Sequence, residues 1–304
     1  MNRPKRHHWW PQLNSGFWCN ADGNINVLNR DGTSFPGRPG GLGVVGHLYS
    51  KEFEDGEKDP AIETWFANEV DGPFAGVIEK FSDEKLTKRR PFRGDPDKAK
   101  TVKQLGYRVL KNLEYFELSN SDRENISRYV AALLVRSPRY LSKLEKFHSA
   151  SLNPKNNALD NMKHLYEVYL QRIIRADFVI IIRDAENEFL FSDGGIVARE
   201  PWSNAGGVPF DVHFPMTPDI ALQVFPAMTQ EFPNMVPVSR ATNQGVSAHN
   251  RITLQHAENQ VFGRGAIPID FVMKNWGRPA PKHIGFRHVN GRLETKVDWS
   301  RHFH

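Results

Sequence analysis

The sequence predicts an α+β fold with an N-terminal β-hairpin region, a central helical bundle and a C-terminal antiparallel β-rich part with a late helix. Three observations predict it. Asp22-Gly23 and Asp31-Gly32 bracket Asn24–Leu28, the pattern of a strand between hairpin turns. From Pro60 to the 170s apolar residues recur at helical spacing. After Ala176 the chain turns to short apolar runs such as Phe178–Ile182, Val212–Pro215 and Ala221–Phe225, separated by polar turns. A helical middle between β-rich ends suggests one compact α+β unit over residues 1–304.

The first helix is predicted from Pro60, with Asp59 as its cap and Ile62, Trp65, Phe66 and Val70 on its apolar face. A second covers Phe74–Phe81. Residues 82–97 are polar, basic and proline-containing, and are expected to form a mobile loop. A helix over Ala99–Leu118 is weakened by Gly106. Ser121 and Glu124 make a capping box for the next helix, whose face is Ile126, Tyr129, Val130, Leu133 and Leu134. Pro138 ends or kinks that helix. Further helices are expected near Tyr140, over Asn161–Arg175 and over Val246–Val261. Phe178–Ile182 and Glu188–Phe191 read as two strands of a hairpin. A basic tail is expected from about Lys274.

Hydrophobic residues make up 39% of the 304 and charged residues 25%, the composition of a folded globular chain. The formal charge of +5 is small for this length and favours polyanions over polycations only mildly. Cys19 is the sole cysteine, so no intrachain disulfide can form and a reducing, cytoplasmic location is expected. The N-terminus lacks the apolar region of a signal peptide, and Phe178–Ile182 is far too short to cross a membrane. The glycine-rich stretch 36–46 lacks the terminal Gly-Lys-Ser/Thr of a phosphate loop.

His7-His8-Trp9-Trp10-Pro11-Gln12 is the strongest local feature. In a strand the two imidazoles point to opposite faces, so one serves chemistry or ligand binding and the other packing, or both are structural. Asp193, after the apolar run Phe189–Phe191 and before Gly194-Gly195, either accepts turn amide hydrogens or acts as a metal ligand. Arg136 interrupts an apolar sequence just before Ser137-Pro138. It either grips a phosphate or forms an interior ion pair with Glu63 or Glu69. Arg123, Arg128 and Arg139 lie along the same stretch, displaced from one another.

The order of these motifs resembles the DUF4238 family, microbial proteins of unknown function. The resemblance rests on His-His-x-x-Pro-Gln, on Glu63 and Glu69 in the first helices, and on Arg136-Ser137-Pro138-Arg139. It extends through Phe191–Gly195, Phe214–Pro218 and the closing segment from Asn250 to Gly263, roughly residues 7–263 in all. Ser15-Gly16 stands where the family commonly has Leu-Arg, and Gly194-Gly195 replaces Asn-Pro. If that family arginine grips an anionic ligand, this chain uses another group or lacks the function. The resemblance implies fold order and not a reaction.

Two functions follow as expectations. One is a metal-assisted phosphodiesterase or nuclease acting on nucleic acid, with His7, His8 and Arg136 as catalytic residues and His8, Glu63, Glu69 and Asp193 around a divalent metal ion. The other is a non-enzymatic module binding nucleic acid or a protein, with Trp9, Trp10 and Trp18 available to stack bases. A structural reading stands beside these two functions: a member of a multi-protein system, its His and Asp in a buried network.

Overall fold

A computed structural model describes residues 6–82, 88–89, 114–199, 211–225, 234–280, 283–289 and 292–298. The expected mobile loop at 82–97 and most of the helix expected over 99–118 lie outside the described residues. Where that helix was to end, Glu114–Glu117 instead forms a strand.

The N-terminal part is built from strands β1 (Arg6–His8), β2 (Ile25–Asn29), β3 (Ser34–Gly37) and β4 (Val44–Gly46), with the short helix α1 (Gln12–Gly16) between β1 and β2. β2, the strand foreseen between the Asp-Gly turn signals, forms a hairpin with β3 across Asp31-Gly32, where Gly32 takes φ +88°. β1 pairs with β4, which places His8 opposite Val44.

Helix α2 (Ala61–Phe66) follows, with the Asp59 carboxylate accepting the Ala61 N–H. A π-helical turn, Ala67–Asp71, separates it from α3 (Gly72–Ser82). Strand β5 (Glu114–Glu117) leads into α4 (Asn120–Val135). The capping box of α4 is Ser119 with Asp122, two residues before the predicted Ser121–Glu124. Both pairs satisfy the motif. Leu118 is buried and fixes the earlier start. Helix α4 ends at Val135, and α5 (Pro138–Phe147) begins with Pro138 at its first position and Ser137 as its cap. Helix α6 (Pro154–Ile174) packs on both.

The β-rich part contains β6 (Asp177–Arg183), β7 (Phe191–Ser192), β8 (Val197–Arg199), β9 (Asp211–Pro215), β10 (Ile220–Phe225) and β11 (Met235–Ala241). Helix α7 (Asn243–His256), β12 (Gln260–Gly263), α8 (Ile269–Asn275), β13 (His283–Val289) and β14 (Arg292–Asp298) complete the described chain. The large sheet runs β8-β9-β10-β6-β11-β14-β13, with β5 also on β11. Its pairs are antiparallel except β11 with β6 and β11 with β14. In β6, Phe178–Ile182 are all buried, as expected for a strand covered on both faces. Adjacent residues of β9 face opposite sides: Phe214 meets Tyr129 of α4, and His213 meets His249 of α7. The stretch from Lys274 is no tail over its described residues: it holds the end of α8 and the β13–β14 hairpin.

A second sheet, β7-β12-β2-β3, joins the N-terminal hairpin to the C-terminal part. Here the expected Phe178/Glu188 hairpin is corrected. Phe191 pairs with Phe262 of β12, while β6 pairs with β10 and β11, because apolar content marks a strand without naming its partner. Among the described residues no helix is long and apolar enough to cross a membrane.

The turn after β7 needs glycine. A Cβ on Gly194 would lie 1.9 Å from the His256 carbonyl oxygen, and Gly195 takes φ +70°. Gly194→Ala is therefore expected to lower the unfolding free energy by about 2–3 kcal/mol. The measurement is the urea midpoint at unchanged slope, and a midpoint equal to the parent's would show that the turn simply moves off His256.

Candidate active site around Arg136

Strand β1 sends its two imidazoles to opposite faces, as its two-residue period requires. His7 is fully buried, and its Nδ1 accepts the Tyr49 N–H at 2.9 Å while its ring stacks on Tyr49. That bond fixes Nδ1 as the lone-pair nitrogen, so His7 is a core residue. His8 is half-buried at the rim. Its Nε2 lies 3.1 Å from the Gln12 amide nitrogen. Burial lowers the His8 pKa, and Arg6 and Arg136 lower it further.

The His8 main chain is gripped on both sides. Its N–H donates to Glu63 Oε1 at 3.3 Å, and its carbonyl accepts from Arg136 Nη2 at 3.0 Å. Arg136, at the end of α4, is only 1% exposed. Its Nη1 donates to Asp71 Oδ1 at 2.8 Å, its guanidinium lies 4.3 Å from the Phe66 ring centre, and its carbonyl accepts from the Tyr49 hydroxyl. Burial alone would pull the guanidinium pKa down; Asp71, together with Tyr49 and Glu63, outweighs it and the pKa is raised. Asp71 closes the π turn, a local insertion that occurs often at functional sites.

Glu63 is the chemically loose member. Burial pushes its carboxyl pKa up, and Arg136 and the His8 N–H only partly offset that. Its Oε2 is enclosed and has no hydrogen-bond partner among the described residues. A buried acceptor left so is costly unless a proton, water or ion occupies it.

The structure thus brings His8, Glu63 and Arg136 together, with His7 behind them. The expected ion pair of Arg136 with Glu63 or Glu69 is corrected: the partner is Asp71. Asp71 was not among the acids considered from the sequence, since it lies between the two predicted helices. Glu69 is exposed, on the side of Arg128. Both oxygens of Asp193 are taken by main-chain amides, Oδ1 by Glu258 and Oδ2 by Asn259, each at 2.8 Å, so Asp193 holds the turn after α7. Among the described residues no group of three or more His, Cys, Asp or Glu is placed to hold a metal ion, so the set His8, Glu63, Glu69 and Asp193 does not assemble. The other arginines are dispersed: Arg123 bonds the Ala176 carbonyl, Arg128 pairs with Glu124, and Arg139 with Glu258. Trp9, Trp10 and Trp18 are buried in the core.

A second polar pair was not foreseen. His213 of β9 and His249 of α7 are buried with their Nδ1 atoms 3.1 Å apart and their rings stacked at 4.4 Å. Thirty-six residues separate them, so no local spacing announces the pair.

Two measurements test this electrostatic arrangement. Asp71→Asn leaves a buried guanidinium without its counter-charge and is expected to cost about 3 kcal/mol of stability in urea unfolding; a loss below about 1 kcal/mol would mean the ion pair is not buried in solution. The folded pKa of Glu63 is raised, so its contribution to stability is full below about pH 4.5 and is lost as pH rises through the folded value. Relative to Glu63→Gln, the parent is expected to lose stability as pH is raised from about 4.5, whereas a constant difference would show a carboxyl that titrates normally.

No curated protein and no solved structure matches the chain. A family model described as "Protein of unknown function (DUF4238)" matches residues 6–266, which include the whole constellation of His7, His8, Glu63, Asp71 and Arg136. The chain belongs to the DUF4238 family.

Proposed function

We propose that the protein cleaves phosphodiester bonds in nucleic acid at the His8–Glu63 site, with a divalent metal ion arriving on the substrate phosphate. The observation that carries this reading is the meeting of His8, of Glu63 and Asp71 from one helical stretch, and of Arg136. In it one imidazole is pushed down and one carboxyl is pushed up in pKa. Opposed shifts of this kind bring an acid and a base toward the same working pH.

In the proposed reaction neutral His8 takes the proton of the attacking water. The water oxygen bonds phosphorus, the bond to the leaving oxygen breaks, and protonated Glu63 supplies that oxygen's proton. Arg6, exposed and held to the Gly40 carbonyl at 2.9 Å, sits beside His8 as an accessible cation for the phosphate. Arg136 holds the His8 main chain in place and does not touch substrate. Mg²⁺ is often bound by one or two protein groups together with substrate phosphates, so this reading does not require a closed protein cage for the ion.

The test incubates the full chain with labelled single-stranded and duplex DNA and RNA, with Mg²⁺ or Mn²⁺ or with chelator. Cleavage is expected with metal, is abolished by chelator, and falls about 100-fold or more in His8→Asn and in Glu63→Gln. Absence of cleavage on every substrate, or cleavage indifferent to both substitutions, overturns the reading.

A further inference from the structure

A cleft of about 420 Å³ opens over the β7-β12-β2-β3 sheet. It begins next to the His8 site: Trp9 follows His8 in the chain, Val44 is its register partner, and Pro138 lies two residues from Arg136. Phe35 of edge strand β3 lines it with 40% of its surface open, a large apolar side chain left uncovered at the mouth of a cavity. Asp193 and Glu258 supply two carboxylates, Asn259 and Gln260 supply amides, and none of the lining residues is a cation. The nearest counter-charge is Arg139, whose Nε is 3.3 Å from Glu258 Oε1.

We propose that this cleft is a nucleobase subsite for single-stranded nucleic acid, selecting bases that carry an exocyclic amino group. The inference rests on the reading of the His8 site as a nucleic-acid cleaving centre and names the substrate class. A flat ring surface at the mouth suits base stacking, which single strands offer and duplexes do not. The volume lies in the range of small-ligand pockets, about 300–1,000 Å³. Two carboxylates without a lining cation repel phosphate. Asp193 is committed to the Glu258 and Asn259 amides, so the acceptor for amino hydrogens is the Glu258 carboxylate, whose Arg139 contact engages one oxygen, as Glu accepts from the cytosine N4 amine. Charge therefore separates the two parts of a nucleotide. The base enters the acidic cleft, and its phosphate falls on the other side of the glycine-rich segment, beside Arg6 and His8. Glycine in that segment is obligatory at Gly43, where φ is +64° and a Cβ would stand 2.6 Å from the Trp10 Cβ.

The experiment measures binding apart from cleavage. Full chain carrying Glu63→Gln is titrated, in chelator, into fluorescently labelled oligo-dC and oligo-dT, and anisotropy gives Kd. Oligo-dC is expected to bind at least about tenfold tighter than oligo-dT. Phe35→Ala is expected to weaken both by about tenfold, and Phe35→Tyr to restore them. Glu258→Gln is expected to bring the two oligomers within about twofold of each other, and Phe147→Ala, at a residue 78% exposed on α5, to change nothing. Thermal melts confirm that each variant is folded. Equal binding of the two oligomers, or indifference to both Phe35→Ala and Glu258→Gln, overturns the subsite. So does binding of an arginine-rich peptide with none of the oligomers, which would assign the cleft to a cation. Cleavage that depends on His8 and Glu63 without this binding pattern removes the subsite alone. The binding pattern without cleavage by the parent chain removes the reaction alone.

Discussion

The buried guanidinium of Arg136 is the constraint around which the N-terminal half is arranged. A cation at 1% exposure has no water to satisfy it, so the fold must bring it a counter-charge and acceptors. Asp71 comes from the π turn and the His8 carbonyl from β1, while the Tyr49 hydroxyl closes on the arginine's own carbonyl. These groups are far apart in the chain and meet at the one guanidinium. The position of Arg136 in the break between α4 and α5 follows from this. A residue at a helix end can direct its side chain across the layer while Ser137 and Pro138 start the next helix.

The same charge sets the chemistry nearby. Where carboxylates are fully used, as in the Arg264–Asp219–Glu188 cluster, burial would raise the Asp219 pKa but bonds from Arg264 and Arg183 overcome it, and the carboxyl is held down. That is the pattern of a structural ion cluster. Glu63 shows the opposite balance: one oxygen holds the His8 amide, the other has no partner among the described residues, and burial prevails over Arg136. Asp193, with both oxygens on amides, belongs with the structural group. The difference between these carboxyls lies in their unused lone pairs, and it separates a candidate reacting group from one that holds a turn.

Much of the architecture was legible because it is written in local pattern. Five consecutive apolar residues made β6 visible, and helical spacing with Pro138 made the α4–α5 break visible. The two-residue period foretold that His7 and His8 would part company. Pairing was not legible: Glu188–Phe191 looked like the partner of β6, yet Phe191 lies against Phe262 across a different sheet. Arg136 stood out as a charge inside an apolar run, but its partner did not. A buried arginine demands an acid without specifying which one, and Asp71 is delivered by a π turn that no residue pattern marked. The resemblance to DUF4238 gave the order of the elements and offered no route to that contact.

The His213–His249 pair shows why access, and not residue type, decides which imidazole is chemically useful. Nitrogens 3.1 Å apart in stacked rings tie α7 to the large sheet. With both side chains buried, the pair meets no solvent through which substrate could come. His7 is closed off in the same way by Tyr49. His8 alone of these four stands at the rim, half-buried beside a carboxyl, Glu63, one of whose oxygens has no hydrogen-bond partner among the described residues. It holds that position because the strand that buries His7 must, one residue later, turn the next side chain outward.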